Sequence, residues 1–308
     1  MKKRFVAKHY KKKKFKFKFL LFFIIFIISL IISFKSLLKS DIKVSNKKFV
    51  EFILDKDNIV HKVFNVASED FKISNLLYTS NFELEIPKKV VNVKEKNTSS
   101  DYLIYVYNTH QKEEYASTNF IESEISPTVM MSSYIMKNVF DKNKFNTLVE
   151  ERSISDLLSK NNWKYYRSYD ASRIYLDDSK QNNPTLKYFI DVHRDSLERD
   201  KTTVTINDKS YAKVIFLIGL ENPNYNKNLE FTTKINDKLN EKYPGLSKGI
   251  YKKGGVGVNG VYNQDNSEYT ILIEIGGVGN NTTEVLNSTL AFCDAFMEVI
   301  NNENETSS

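Results

Sequence analysis

His110, Glu113, His193 and Glu274 have the residue types that metal-assisted hydrolysis requires. The sequence holds four histidines. His9 lies in a lysine-rich arm and His61 in a segment of mixed polarity. The other two follow runs that read as buried strands: residues 102–107 (YLIYVY) lead to His110, and residues 188–192 (YFIDV) lead to His193. His110 and Glu113 form H-x-x-E, so an imidazole closing a strand and a carboxylate three residues on can reach one ion. Adding His193 gives two imidazoles and one carboxylate, the donor set of a catalytic zinc that keeps its fourth position for water. Zinc brings the pKa of that water down to about 7 and polarises a scissile carbonyl. A further carboxylate is then needed as general base and proton shuttle. Glu274 meets that need within the apolar run 269–275 (YTILIEI), where a charge is costly unless it has a task. Each residue also has a plain structural reading. A histidine at a strand end is often a hydrogen-bonded structural residue, H-x-x-E arises by chance in a chain with 38 acidic residues, and Glu274 could pair with a lysine at the core edge.

The elements that must position these residues alternate in type. Ser126-Pro127 reads as a helix start, with Ser as N-cap and Pro at the first helical position, running on through Met130, Ile135 and Val139. Residues 203–206 and 211–219 read as a strand pair around Asn207-Asp208. Residues 227–243 read as a helix stopped by Pro244-Gly245, the strand 269–275 ends in Gly276-Gly277, and residues 282–301 form a terminal helix with Cys293 on its apolar face. This alternation predicts an α/β fold with a mostly parallel twisted sheet flanked by helices. In such sheets ligands sit at the carboxyl ends of the strands, where both histidines fall.

The net charge of +7 is unevenly spread. Residues 1–18 carry ten Lys and Arg and no acid, so the remaining residues sum to −3. That removes most of the case for a nucleic-acid-binding body. With one cysteine, an intramolecular disulfide and a Cys-rich zinc finger are both excluded. Residues 19–34 (FLLFFIIFIISLIISF) hold no charge, and Lys16, Lys18 and Lys35 flank them. A helix of that length rises about 24 Å, and snorkelling lysines extend its reach. No small-x-small cleavage site follows, so the stretch reads as an uncleaved single-pass anchor rather than a signal peptide. The positive arm places the N-terminus in the cytoplasm and the body outside the membrane. The expected organisation is a basic arm (1–18), a transmembrane anchor (19–36), a stalk or accessory region (37–100) with strand-like runs at 49–54 and 82–86, a catalytic domain (101–302) and a polar tail (303–308).

At the site residues the sequence resembles the stage II sporulation protein P family of membrane-anchored cell-wall amidases from endospore formers. The resemblance runs from about residue 102 to 300. It rests on Thr109-His110 with Glu113 and Tyr115, on Ser168-Tyr169-Asp170-Ala171-Ser172-Arg173, and on Ile190-Asp191-Val192-His193-Arg194-Asp195-Ser196 continuing into 202–207. Further blocks are Asn222-Pro223-Asn224-Tyr225, Tyr243-Pro244-Gly245-Leu246-Ser247, residues 259–265 and Leu272-Ile273-Glu274-Ile275-Gly276-Gly277. The resemblance implies a zinc-dependent N-acetylmuramoyl-L-alanine amidase fold related to zinc carboxypeptidases, cleaving peptidoglycan between the muramic acid lactyl group and L-alanine, with an endopeptidase activity on cross-links. It implies work in forespore engulfment beside a lytic transglycosylase (stage II sporulation protein D) and a multi-spanning membrane partner. His110 and His193 would be metal ligands and Glu274 the catalytic acid/base. For the middle ligand Glu113 matches the family's Thr-His-x-x-Glu, whereas related amidases place theirs about fourteen residues after the first histidine, on Glu124. Gln111-Lys112 departs from the small hydroxyl residues usual after the histidine, which bears on substrate fit.

Two motifs are decoys. Residues 255–260 match G-x-G-x-x-G but do not open a helix, so a substrate-lining loop with Asn259 in contact is the better reading. His193-Arg194-Asp195 resembles a kinase catalytic loop but lacks its asparagine, and Arg194 and Asp195 are better read as braces for the site. Two other classes of function stay open: a carboxypeptidase-like enzyme trimming stem peptides, and a non-catalytic wall-binding scaffold.

Overall fold

The computed structural model describes residues 45–54, 101–116, 118–120, 123–125 and 127–306. Residues 44–118 and 124–308 form one compact unit. The other comprises 1–43 and 119–123, of which residues 119, 120 and 123 are described. The expected arm and anchor lie outside the described residues, as does most of the expected stalk. Among the described residues no helix is long and apolar enough to cross a membrane.

The elements run in chain order as α1 (Asn46–Leu54), β1 (Ile104–Tyr107), β2 (Thr118–Phe120), β3 (Ser123–Ile125), α2 (Met130–Lys142), β4 (Thr147–Val149), α3 (Ile154–Lys160) and α4 (Ser168–Asn182). There follow β5 (Tyr188–Asp195), the short α5 (Arg199–Thr202), β6 (Thr203–Ile206), β7 (Lys209–Ala212), β8 (Val214–Gly219), α6 (Tyr225–Lys242), β9 (Ser247–Lys253), β10 (Thr270–Gly277) and α7 (Thr282–Thr306). Six strands form the main sheet in the order β4-β1-β5-β10-β8-β9. The β4–β1, β1–β5, β5–β10 and β8–β9 pairs are parallel, and β10–β8 is antiparallel. A mostly parallel α/β sheet is therefore what the chain forms.

Strand alternation divides this sheet into two faces. Tyr188 and Phe216 point to one side, where they meet Phe231 of α6 and Phe292 and Phe296 of α7. Cys293 is fully buried in that helix, as expected. On the other side Tyr105, Tyr107 and Phe189 pack with Leu176 of α4. Further along the same face Leu217 and Leu272 pack with Tyr262 and Tyr169. This second face continues past its apolar part into the site.

Several expectations need correction. Residues 49–54 are helical, not strand-like: Phe49, Val50 and Leu54 are buried at helical spacing, and Ser45 Oγ caps the helix by accepting from Lys48 N at 3.3 Å. α2 begins at Met130 rather than at Ser126-Pro127, because residues 127–129 pair with another segment: Tyr115 N donates to Pro127 O and Val129 N to Glu113 O. Residues 211–219 are two strands. β7 pairs with β6 across Asn207 and Asp208, both at positive φ, and the chain breaks at Lys213 to enter the main sheet as β8. α7 runs through residue 303, expected as polar tail, where Glu303 meets Lys234 at 3.1 Å.

α1 bears on the site. Asn46 Nδ2 donates to Thr128 Oγ1 at 3.1 Å, and Asn46 Oδ1 accepts from Thr128 N at 3.0 Å. Thr128 bridges Glu114, so α1 clamps the segment that supports Glu113. Asn46→Ala removes both bonds and is expected to destabilise the fold by about 1–2 kcal/mol, read as a lowered urea midpoint with unchanged m-value.

Candidate active site

Four residues expected from the sequence converge at the carboxyl end of the second face. β5 and β10 pair in parallel register with Leu272 opposite Asp191 and Glu274 opposite His193. Side chains opposite one another in register share a face, so the period of two along β5 puts Asp191 and His193 on the side of Glu274. β1 ends three residues before His110, and its end is tied to β5: Asn108 Nδ2 donates to Val192 O at 2.7 Å while Ser133 Oγ donates to Asn108 Oδ1 at 2.7 Å. The His110 and His193 rings lie 5.2 Å apart, nearly perpendicular.

Glu113 is held from several sides. Its backbone N–H closes a turn on His110 O, and its Oε2 accepts from Arg194 N at 3.1 Å. Arg194 Nε donates to Glu114 O at 2.8 Å, and the Tyr115 hydroxyl donates to Ile275 O at 2.9 Å. The second of these links the Glu113 loop to the strand of Glu274. Arg194 thus ties Glu113 and Glu114 to the end of β5. Asp195 Oδ1 accepts from Leu197 N at 3.2 Å, and its Oδ2 lies 3.8 Å from Lys248 Nζ. Glu124 falls in β3 rather than at a helix start, and its side chain is outside the described residues. Asn259 Oδ1 accepts from Val261 N and Tyr262 N, forming the turn of the 255–260 loop.

These groups border a cavity of about 500 Å³ lined by His110, Glu113, His193 and Glu274, together with Tyr165, Tyr166 and Tyr169. Lys253 and Asn259 line it as well.

Asp191 is a residue of the site that sequence reasoning missed. It is fully buried, with Oδ1 accepting from Thr109 N at 2.9 Å and Oδ2 from Thr109 Oγ1 at 2.7 Å. Its Oδ1 also lies 3.0 Å from His193 Nε2, an ion-pair distance whose angle falls short of a hydrogen bond. Its spacing two before His193 in a strand was the available signal. Tyr169 was missed too. It lies edge-on to His110 at 5.6 Å and stacks on His193 at 6.3 Å.

The electrostatics favour a cation. Burial pulls the His193 imidazole down, but the charges of Asp191 and Glu113 outweigh it and push it up to about 10. Burial lowers His110, helped by the charge of His193. For Glu113 burial raises the carboxyl, yet His193, Arg194 N–H and His110 together hold it below its ordinary value. Glu274 is raised, first by burial; Asp195 and Glu113 add to that and Lys253 and His193 oppose it.

Among the described residues no three His, Cys, Asp or Glu side chains are drawn together as a ready metal cluster. The donors present nevertheless suit one. His110 Nδ1 is buried without a hydrogen-bond partner. His193 Nδ1 lies 3.5 Å from Glu113 Oε2, long for a hydrogen bond. Two donors of one tetrahedral zinc, with bonds of 2.0–2.1 Å, stand about 3.3 Å apart. An orphaned imidazole nitrogen beside such a pair fits zinc in both donor type and charge.

Comparison with known proteins agrees with the resemblance in the sequence. Among solved structures, the chain is similar to the N-acetylmuramoyl-L-alanine amidase AmiC2 of Nostoc punctiforme (8% identity, 66% of this chain and 99% of that one, TM-score 0.38). It is similar to the CwlD amidase of Clostridioides difficile, solved in complex with the GerS lipoprotein (12%, 65% and 98%, TM-score 0.43), and to a metallo-carboxypeptidase from Burkholderia cenocepacia (10%, 68% and 59%, TM-score 0.40). None of these overlaps reaches a TM-score of 0.5. The relationship in sequence is much stronger. Stage II sporulation protein P of Bacillus subtilis (strain 168) is 34% identical over 213 residues, which is 67% of this chain and 53% of that protein, so the chain spans about half the length of its relative. The family model of stage II sporulation protein P matches residues 34–297, a span that contains every residue of the cavity wall named above, and the chain belongs to that family.

Proposed function

We propose that this chain is a membrane-anchored, zinc-dependent N-acetylmuramoyl-L-alanine amidase that hydrolyses peptidoglycan during forespore engulfment. The observation that carries the reading is the convergence of His110, Glu113, His193 and Glu274 at one cavity. His110, Glu113 and His193 would hold the ion. When bound, zinc supplies a nucleophilic water at neutral pH and polarises the scissile carbonyl. Glu274 takes the proton of the attacking water on its carboxylate and returns it to the leaving amine nitrogen of L-alanine. Asp191 orients the His193 ring, and Arg194 fixes Glu113 through its backbone N–H. Tyr169 packs against both imidazoles and fixes their orientation. Residues 19–36 would anchor the chain, with residues 1–18 cytoplasmic and the catalytic body outside. The partners of this reading are a sporulation lytic transglycosylase and a multi-spanning membrane protein, and a cross-link endopeptidase activity accompanies it.

The carboxypeptidase reading needs an arginine free to grip a terminal carboxylate. Arg194 is tied to Glu114 O and Asp195 O, and Arg173 to Asp177 and Asp265. That disfavours trimming of free ends. The test is mass spectrometry of purified peptidoglycan digested by the zinc-loaded whole chain. Stem peptides beginning at L-alanine, with peptide-free glycan, support the amidase. Release of a single terminal residue supports the carboxypeptidase, and intact peptidoglycan with no zinc bound leaves the scaffold reading.

The raised carboxyl of Glu274 sets the pH dependence. The base is active only when ionised, so the acidic limb of kcat/KM is expected above the ordinary glutamate value of 4.5. A limb at or below 4.5 would mean that another group is the base.

A further inference from the structure

Two large aromatic rings at the cavity stay largely exposed. Tyr165 and Tyr166 are 64% and 81% exposed, yet both line the cavity. They sit on the 3-10 turn Tyr165–Arg167, which its neighbours hold in place. Trp163 packs on the cluster of Ile154, Leu158 and Ala171, and the Arg167 guanidinium lies 4.0 Å over its ring. Ser168 Oγ donates to Tyr165 O at 2.6 Å. From this turn Tyr165 stacks on His110, with centroids 4.9 Å apart and planes at 23°. Large exposed rings on an anchored turn beside a cavity mark a binding surface, because leaving them in water forgoes the free energy of burial. Lys253 and Asn259, which also line the cavity, are of a different kind: cationic and polar.

We propose that Tyr165 and Tyr166 form a sugar-binding subsite that stacks the N-acetylmuramic acid ring of the strand being cleaved. The glycan then lies along the tyrosines, and the stem peptide runs toward Lys253 and Asn259. The identity of the sugar rests on the amidase reading. The scissile amide of that substrate joins a pyranose to a peptide, which matches a cavity with aromatic and polar-cationic parts. The C–H face of a pyranose is apolar with slight positive charge, and it complements the negative face of an aromatic ring. Tyrosine supplies such contact area at little cost in conformational entropy, because it has only two side-chain torsions to fix.

The whole chain carrying Glu274→Gln is titrated calorimetrically with short peptide-free glycan strands of alternating N-acetylglucosamine and N-acetylmuramic acid. Tyr166→Ala is the informative variant, because the ring is exposed and its loss leaves the core intact, which circular dichroism checks. Affinity is expected to fall roughly three- to tenfold in Tyr166→Ala, further when Tyr165→Ala is added, and to return in Tyr166→Phe. In the chain with Glu274 intact, Tyr166→Ala is expected to raise KM more than it lowers kcat. Equal glycan affinity with and without the Tyr166 ring overturns the subsite. So does a chain that binds free stem peptide but no glycan. A chain that binds glycan through Tyr166 yet releases no stem peptide keeps the subsite and overturns the amidase reading alone.

Discussion

Glu274→Gln is expected to leave about one zinc per chain and to reduce turnover by about 10²–10⁴-fold, the usual contribution of a positioned acid/base. Glutamine has nearly the shape of glutamate and keeps a carbonyl oxygen, but it takes up no proton at neutral pH. The metal should stay because Glu274 is opposite His193 across two strands and is not among the proposed ligands. The same substitution is expected to raise Tm near neutral pH. Burial, with Asp195 and Glu113 adding to it, lifts the folded-state carboxyl above its ordinary value. A carboxyl raised in the fold binds its proton more tightly there than in the unfolded chain. Its stabilising contribution is therefore present at low pH and lost as pH rises from 4.5 through the raised folded value. At neutral pH the native ion is a cost that the neutral amide removes, the usual exchange between activity and stability at a catalytic site. Metal content and product release on the zinc-loaded chain, with a thermal melt on the metal-free chain, check all three parts. A near-normal rate would move the general base elsewhere, and a lowered Tm would mean that the Glu274 charge is satisfied in the fold.

Which parts of the fold were legible follows from how each residue is positioned. β1, β5 and β10 are apolar runs, and reading them as strands placed His110, His193 and Glu274 at their carboxyl ends. β9 was not legible, because Ser247–Lys253 (SKGIYKK) is a polar edge strand with no apolar run to mark it. β8 was legible as a strand, but its antiparallel direction depends on the hairpin before it and on the break at Lys213. There Lys213 N donates to Thr202 O and Gly276 N to Lys213 O, contacts distant in sequence. Gly276 itself has a φ of +67°, and a Cβ on Gly277 would run into Leu197 O, so this glycine pair is what lets β10 end tightly just beyond Glu274. The helix start at Ser126-Pro127 satisfied local capping rules and lost to tertiary pairing with Glu113 and Tyr115. Asp191 stayed hidden because a carboxylate inside an apolar run is recognisable as buried and paired only once Thr109 and His193 are seen against it.

His193→Ala and Asp191→Asn are expected to separate holding the metal from orienting a ligand. His193 supplies one of two imidazoles, and its Nδ1 faces Glu113 at 3.5 Å. Without it the site keeps one imidazole and one carboxylate, too few for a retained zinc. Metal and activity should therefore disappear together, and Glu113→Ala should do the same. Glu124→Ala should retain both if Glu113 is the middle ligand. Loss of zinc in Glu124→Ala, with retention in Glu113→Ala, would reverse that assignment. Asp191→Asn acts one step back. Asn still accepts from Thr109, but it brings no charge to the far side of the His193 ring. Removing such a partner costs roughly 10–100-fold in metal affinity. Activity in Asp191→Asn should consequently recover when zinc is raised by that factor, whereas His193→Ala should stay inactive at any zinc concentration. Recovery in both would mean that the ion is held by residues other than these. Recovery in neither would make Asp191 part of the framework that keeps His110 and His193 on one face, since it ties the residue before His110 to the strand that carries His193.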